Sequence, residues 1–314
     1  MNKKLSKSLF FISENSRITT KALSKKILSS QQSASYMVNQ LKEKKIIKKT
    51  NTIVDSIKLG LTNIIVGIDF LIFDAKTKKE ILNELKKTNH IISIQESRQG
   101  VDLIIEYCVN NLSAFNKLHS EISHKFHKSI ETKFIFPVVV KHLYPKMYLT
   151  NKKSTSEIII CGDREKIKLN NNEMIILKEF IINPNITFTK LTEKTGFATK
   201  TIVNIKRKLE KARIIRGYTC VLDYQKLGIN RQLIFLKLSG LGIGEINKLI
   251  SYCNMHKNII GLVKIIGDYQ LFIAVESIDK INLINDLRTG FLIKDYLIVD
   301  IDSVIKKSYV PEKF

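Results

Sequence analysis

The feature that most constrains the fold is an internal duplication. Segments 22–55 and 190–223 carry similar residues at one fixed offset of 168 positions, the difference between 41 and 209. The matching positions are Ile18 with Ile186, Leu41 with Leu209, Ile46-Ile47 with Ile214-Ile215, and Leu59-Gly60 with Leu227-Gly228. Because similarity at a single offset across several elements rarely arises by chance, we predict two tandem copies of one structural unit.

Each copy begins with three short helical patterns and a strand. In the first copy Thr19-Thr20 and Ser30 are suited to cap the second and third helices, whose apolar residues recur at intervals of three and four. In the second copy the third helix is predicted at Thr199–Lys211. Ile46–Val54 is predicted to form a two-stranded wing, and Arg213–Val221 its counterpart. This order is typical of a winged helix-turn-helix.

Beyond each Leu-Gly pair the pattern changes to β-α-β-β-α-β, the ferredoxin-like or split βαβ motif. We therefore predict an α+β fold with two tandem copies of a winged helix-turn-helix followed by a ferredoxin-like domain. The predicted domains are 1–57 (first winged helix-turn-helix), 58–145 (first ferredoxin-like domain), 146–171 (linker with a short hairpin), 172–225 (second winged helix-turn-helix) and 226–314 (second ferredoxin-like domain). The linker hairpin is predicted to turn at Gly162-Asp163.

The charge balance favours a polyanionic partner. The chain has 52 Lys and Arg against 29 Asp and Glu, a net charge of +23, which attracts nucleic acid phosphates. An alternative is that many lysines are only solvated surface, since Lys, Ile and Asn are abundant everywhere. The four cysteines lie far apart, which disfavours a zinc ribbon or disulfide framework, so we expect no metal and a reducing compartment. The apolar runs are too short for a signal peptide or membrane span, which predicts a cytoplasmic protein.

Three motifs carry a resemblance to a known family. They are GFATKTIVNIKRKLE (Gly196–Glu210), IIRGYTCVLDYQKLG (Ile214–Gly228) and GDYQLFIAV (Gly267–Val275). With the domain order above, they resemble the Lrp/AsnC, or feast/famine, family of transcription regulators, and the whole chain resembles its tandem archaeal members. The resemblance implies double-stranded DNA as partner, pairing through the ferredoxin-like domains and, in many members, an amino-acid effector at the interfaces. The domains could pair within the chain as a pseudo-dimer or between chains in a homo-oligomer.

The third helix of each copy is predicted to present a polar stripe to DNA. In Thr199–Lys211 the apolar residues face inward, which leaves amide and cationic side chains outside, suited to base edges and phosphates. The stripe of the first copy is Gln32, Tyr36, Asn39 and Glu43, without a cation. The predicted DNA-contacting residues are Gln31, Gln32, Ser35, Tyr36, Asn39, Lys44, Lys45, Lys200, Thr201, Asn204, Arg207, Lys208, Lys211, Arg213 and Arg216. The alternative is that any surface helix of so lysine-rich a chain is basic.

The resemblance also implies an effector site beside the turn Gly267-Asp268. In the first copy Gly100-Val101 matches Gly267-Asp268, with Asp102 one residue further on, so Gly100 and Asp102 are the residues predicted there and the pattern departs from the family. Gly and Asp are equally expected at a tight turn for backbone reasons alone. The first copy departs from the family pattern where Leu28 replaces the equivalent of Gly196, which weakens the case for effector binding there.

Two other functions are considered for this sequence. Siroheme decarboxylases resemble the same family, and histidines would be natural proton donors for their chemistry. His119, His124 and His127 cluster on one predicted helix, where we expect surface positions. No paired carboxylate, nucleophile elbow, phosphate loop or zinc signature is present, so we predict no enzyme, no catalytic residue and no cofactor. A nucleoid protein that coats DNA with little sequence preference is the third possibility.

Overall fold

The computed structural model describes residues 3–71, 74–150, 152–239 and 242–314. The helices are α1 (Lys3–Glu14), α2 (Thr20–Ile27), α3 (Gln31–Glu43), α4 (Ala75–Lys87), α5 (Leu112–Lys125), α6 (Asn171–Ile182), α7 (Phe188–Thr195), α8 (Thr199–Lys211), α9 (Tyr224–Leu227), α10 (Ile243–Met255) and α11 (Leu283–Gly290). The strands are β1 (Ile47–Val54), β2 (Thr62–Phe70), β3 (Ile91–Gln99), β4 (Leu103–Val109), β5 (Ile130–Leu143), β6 (Ile158–Cys161), β7 (Ile215–Leu222), β8 (Asn230–Leu238), β9 (Ile259–Ile265), β10 (Leu271–Ser277) and β11 (Ile293–Lys307).

The two ferredoxin-like halves close into one eight-stranded barrel. Neighbouring strands follow the order β2-β4-β3-β11-β8-β10-β9-β5, and β5 also pairs with β2, which completes the ring. The halves meet at two junctions, β3 with β11 and β5 with β9. Pairing between the ferredoxin-like domains therefore takes place within the chain, and the pseudo-dimer is the arrangement found.

Alternating side chains of the barrel strands build separate inner and outer cores. The inner core includes Phe136, Phe235 and Phe272, which pack from both halves. On the outside α4 and α5 cover the first half, while α10 and α11 cover the second. This is the expected consequence of the period of two in a strand, which sends successive side chains to opposite faces of the sheet.

The predicted wings are wrong in their pairing. Each copy supplies a single strand, and β1 of the first copy pairs antiparallel with β7 of the second, with Thr50 opposite Cys220 and Thr52 opposite Tyr218. A lone strand exposes unpaired backbone groups, and the equivalent strand of the other copy satisfies them. The two-stranded ribbon formed by β1 and β7 therefore joins the two helix-turn-helix units across the duplication.

The predicted linker hairpin is also wrong. Its first strand forms as β6 and pairs with β5, but the chain after Gly162 does not return along β6. Arg164 instead forms an ion pair with the buried Asp55, and the backbone N–H of Ile167 donates to the carbonyl of Lys58 at 2.8 Å. These contacts attach the segment after Gly162 to the first copy, so this segment does not form a second hairpin strand beside β6. In the described residues no helix has the length and apolar character of a membrane span.

Candidate nucleic-acid interface and interior cavity

The second head, formed by α6, α7 and α8, is built around the buried side of α8. Ile202 and Leu209 are completely buried in a core that includes Leu177 and Phe180 of α6. The α7–α8 turn passes through Gly196, whose φ of 73° is a left-handed conformation that glycine adopts without steric cost. This turn sets α8 as the second helix of a helix-turn-helix, with its opposite side facing solvent.

The outer side of α8 carries the predicted polar stripe. Lys200, Asn204, Arg207 and Lys211 are all exposed, as are Thr201 and Lys208. The ammonium of Lys208 forms an ion pair with Glu173 of α6, so part of its charge is already compensated. For the four stripe residues the structure records no ion pair among the described residues, which leaves their donors directed at solvent.

Two arginines extend the basic surface beyond α8. Arg213 is exposed, whereas Arg216 on β7 is half-buried. Within the described chain the Nε of Arg216 has no hydrogen-bond partner. Burial, together with repulsion from Arg164 and Arg213, lowers the pKa of Arg216. Burial is the larger cause, and the smaller contribution from the two arginines reflects a local positive charge that a bound anion would offset.

The first head, formed by α1, α2 and α3, presents a polar rather than cationic helix. Leu41 and Ala34 are completely buried and hold α3 against the head. The predicted residues Gln31, Gln32, Tyr36, Asn39, Lys44 and Lys45 are exposed, and Ser35 is half-buried. Tyr36 is unusual in exposing 68% of its surface. The predicted phosphate-contacting residues Lys44 and Lys45 lie after α3 and not on its outer stripe, so the outer stripes of α3 and α8 differ in charge.

Arg17 joins the two heads. It lies between α1 and α2, and its guanidinium donates to the carbonyls of Pro184 and Ile186 in the second head. The same group lies 5.3 Å from the ring centroids of both Phe180 and Tyr218. With the ribbon, these contacts fix the position of one helix-turn-helix relative to the other.

The structure places the predicted effector residues at turns that contact the opposite half. Gly267 and Asp268 are exposed, and a Cβ at Gly267 would lie 2.4 Å from Phe136 of the first half. Gly100 in turn approaches the backbone of Ile298. The carboxylate of Asp102 accepts the Phe70 N–H at 2.7 Å and so fixes its own turn. The two turns are not brought together with each other, and none of these four residues lines the cavity described below.

The expectation that the three histidines lie on the surface is wrong for His119. Its ring is buried, stacks on Phe115 at 5.3 Å and lies 3.1 Å from the hydroxyl of Thr132, and burial lowers its pKa. His119 follows Phe115 by four residues, which puts both on the inner side of α5. His124 and His127 are exposed. No cluster of three metal-ligating side chains occurs in the described ranges.

An interior cavity of about 370 Å³, not anticipated from the sequence, lies where one end of the barrel meets the ribbon. The barrel supplies buried charged residues, the ribbon supplies Asn51 and Thr219, and α1 supplies Glu14. His142 lines it too, and its Nδ1 lies 2.6 Å from a carboxylate oxygen of Glu157. Charged residues that interrupt apolar strands, as Glu106 does in LIIEYCV, are the signal that could have indicated this site.

No protein-family model matches the chain. Uncharacterized HTH-type transcriptional regulators of Pyrococcus furiosus and Pyrococcus abyssi are 33% and 30% identical over 122 residues, which span 38% of this chain and 79% of each relative. Among solved structures, the siroheme decarboxylase NirDL has a TM-score of 0.61 at 14% identity and covers 98% of this chain and 94% of its own. At that identity the likeness shows the fold alone, here over both copies. The Pyrococcus relatives show that the chain belongs to the HTH-type transcriptional regulators.

Proposed function

We propose that the chain is a sequence-specific, double-stranded DNA-binding regulator that reads an asymmetric site with two unequal heads, and that it catalyses no reaction. The observation that carries the proposal is the outer side of α8, where Asn204 and Arg207 point to solvent from the second helix of a helix-turn-helix. Asparagine can bond adenine and arginine can bond guanine in bidentate fashion, which gives this helix the means to read sequence.

The other exposed cations would position the heads on the backbone. Lys200 and Lys211 flank the reading residues, and Arg213 and Arg216 follow them, at places suited to phosphate contact. In the first head Gln32 and Asn39 can bond base edges, but phosphate attraction falls to the lysines at and after the end of α3: Lys42, Lys44, Lys45, Lys48 and Lys49. Nonspecific affinity therefore belongs mainly to the second head.

The ribbon makes the two heads parts of one reading unit. Heads that enter successive major grooves on one side of DNA need half-sites about 34 Å apart. Because the stripes of α3 and α8 differ in sequence, the two half-sites should differ as well. A dyad-symmetric operator is therefore disfavoured unless two chains share it.

A pair of charge reversals tests the proposal. Binding of selected and random DNA is measured by fluorescence anisotropy as a function of salt for Arg207→Glu/Lys211→Glu and for the matched Lys44→Glu/Lys45→Glu. The first variant should lose more affinity, and its salt dependence should decrease by about one unit of slope per phosphate contact removed. The opposite ranking, or no binding of DNA by the unaltered chain, would refute the proposal. Equal affinity for selected and random DNA would indicate a nucleoid coating protein.

A decarboxylase is the second candidate, because the fold of NirDL extends over the whole chain and the cavity holds cations and His142. One solved NirDL structure is a co-complex with an iron-uroporphyrin III analogue. Incubation of the protein with siroheme, followed by mass spectrometry for loss of carbon dioxide, separates the two functions. Turnover would overturn the assignment as a non-enzyme, whereas unchanged siroheme together with DNA binding supports it.

A further inference from the structure

We propose that the interior cavity binds a small organic anion, an apolar molecule that bears a carboxylate, and that its occupancy changes the affinity of the two heads for DNA. The first part concerns the cavity alone. The second part rests on the proposed function and deepens it, because it places the regulatory site away from the turns at Gly100 and Gly267.

The first polar wall of the cavity is a carboxylate shared by two lysines. Glu106 on β4 is 5% exposed and accepts a hydrogen bond from Asn63 at 2.7 Å. Lys141 forms a direct ion pair with the same carboxylate, and the ammonium of Lys307 lies 3.7 Å from its second oxygen. Burial opposes ionisation of Glu106, yet Lys141 and Lys307 hold its pKa below the ordinary value. The group is therefore one anion between two cations.

A second polar group, of which Lys146 and Arg231 line the cavity, repeats this composition from different residues. Glu276 on β10 is completely buried and forms ion pairs with Lys146 and Arg231. The hydroxyl of Tyr148 donates to the same carboxylate at 2.7 Å. Lys146 follows the first half of the barrel, whereas Arg231 belongs to the second, so both halves are needed to complete the group. Here too one carboxylate serves two cations.

The two groups together leave an excess of positive charge in a partly enclosed space. Four cations share the carboxylates of Glu106 and Glu276, an excess of two. Two further carboxylates lie at the margin: Glu14, whose pKa is raised by burial, and Glu157, which is paired with His142. Unbalanced buried cations are costly, and an anion that enters the cavity relieves that cost.

Three residues that line the cavity each carry a buried polar atom without a partner within the ranges that the structure describes. In the described part of the chain, no hydrogen bond is made by the Oε1 of Gln95, the hydroxyl of Tyr144 or the Nε of Arg231. Gln95 and Tyr144 are each only 6% exposed. Leaving such a group unbonded costs about 1–3 kcal/mol, so each requires a ligand or a water. The donors Tyr144 and Arg231 are suited to a carboxylate oxygen.

The rest of the lining selects an apolar body of limited size. Side chains from the inner core of the barrel supply this surface: Ile65, Ile104, Leu233, Val263, Phe272 and Ala274. The cavity of about 370 Å³ is at the small end of the range for bound organic molecules, roughly 300–1,000 Å³. It could hold about a dozen waters. An aliphatic or aromatic acid suits this combination of apolar walls and cations.

The cavity contacts the ribbon, and this gives a route to the DNA-binding heads. Asn51 of β1 donates from its amide to the backbone carbonyl of Lys307 at 3.1 Å. Thr219 of β7 also lines the cavity, and its hydroxyl donates to the carbonyl of Ser13 in α1 at 2.7 Å. A ligand that moves Lys307 or the ribbon thus acts on elements of both heads. Such a ligand changes DNA affinity only if it binds more tightly to one arrangement of the two heads than to another.

The experiment uses the full chain and a pair of fluorescent probes that differ in charge. The anion is 1-anilinonaphthalene-8-sulfonate, and its neutral counterpart is N-phenyl-1-naphthylamine, which has the same rings. The variant is Lys307→Met, in which a buried cation is removed. The matched control is Lys306→Met on the same strand, where the ammonium bonds the carbonyls of Lys86 and Thr88 at 3.0 Å instead of the cavity. Circular dichroism verifies that each variant is folded.

We expect the anionic probe to bind saturably, with an affinity at least about tenfold higher than that of the neutral probe. A tenfold difference corresponds to the contribution of one charge-assisted hydrogen bond. Lys307→Met should remove most of that preference, and Lys306→Met should keep it. Equal binding of the two probes, or equal affinities of the two variants, would overturn the anion site.

A pH titration gives a second readout that does not depend on a variant. Burial lowers the pKa of Lys307 to about 8, with Glu106 opposing the decrease and Lys141 and Arg231 adding to it. The sulfonate stays ionised throughout, so affinity for the anionic probe should fall several-fold as pH rises through about 8. The neutral probe should show no such fall. An affinity independent of pH would contradict a role for the Lys307 ammonium.

Competition and DNA binding complete the test. Displacement of the bound anion by aliphatic amino acids or by 2-oxo acids identifies which source of carboxylate the cavity accepts. DNA affinity is then measured with the competitor present and absent, and we expect at least about a fivefold change, typical of allosteric coupling. Probe binding without any change in DNA affinity would overturn the regulatory part. If the unaltered chain binds the anionic probe but does not bind DNA, the proposed function is refuted and the anion site is retained.

Discussion

At the residue scale, Leu28 has the backbone conformation that Gly196 has in the second copy. Both end the second helix of their head in the left-handed region, with φ of 55° and 73°. Lys45 and Arg213, which end the third helices, form another such pair, at 51° and 57°. The repeated φ values show that the duplication extends to single residues of the turns. For a residue with a Cβ this conformation costs roughly 1–2 kcal/mol.

Leu28→Gly should therefore stabilise the chain. Leu28 is 83% exposed, so little packing is lost. Relief of the left-handed strain outweighs the greater entropy of glycine in the unfolded state, and we expect a gain of about 0.5–1 kcal/mol in the free energy of unfolding. The converse change, Gly196→Ala, should destabilise by about 1 kcal/mol although nothing lies within 4 Å of its added Cβ. Urea denaturation measures both, and destabilisation by Leu28→Gly would contradict the argument.

At the element scale, helices could be predicted more fully than strand pairing. Thr199–Lys211 was predicted with its observed ends because its apolar spacing is local to one helix. The partner of β1 lies in the other copy, and an alternating strand pattern does not say which strand it will join. The cavity was missed for the same reason, since Glu106 and Arg231 come to line one cavity only after the two halves close into the barrel.

Arg17→Ala tests the contacts that hold the heads together. The change removes the hydrogen bonds to Pro184 and Ile186 and the two cation–π contacts. We expect the free energy of unfolding to fall by about 1–3 kcal/mol. Lys21→Ala, at an exposed position in α2, is the control and should change it by less than about 0.5 kcal/mol. Equal effects of the two changes in denaturation experiments would show that Arg17 does not couple the heads.

At the scale of the whole molecule, closure of the barrel makes each half depend on the other. The strands β3 and β5 of the first half find their outer partners only in β11 and β9 of the second. Phe136 likewise packs against Phe235 across the interior, with ring centroids 6.1 Å apart. A separated half would expose two sheet edges and an apolar inner face, both of which promote association.

A fragment of residues 1–145 should consequently form a dimer. Because the two copies have equivalent strands at equivalent places, a second fragment can supply the edges and inner face that residues 146–314 provide in the intact chain. Sedimentation velocity should show a dimer at micromolar concentration. Phe136→Asp places a charge in the inner core and should abolish the dimer, whereas Lys117→Asp on the exposed side of α5 should preserve it. A fragment that is folded and monomeric would mean that one half is stable without the closed barrel, which would contradict the argument.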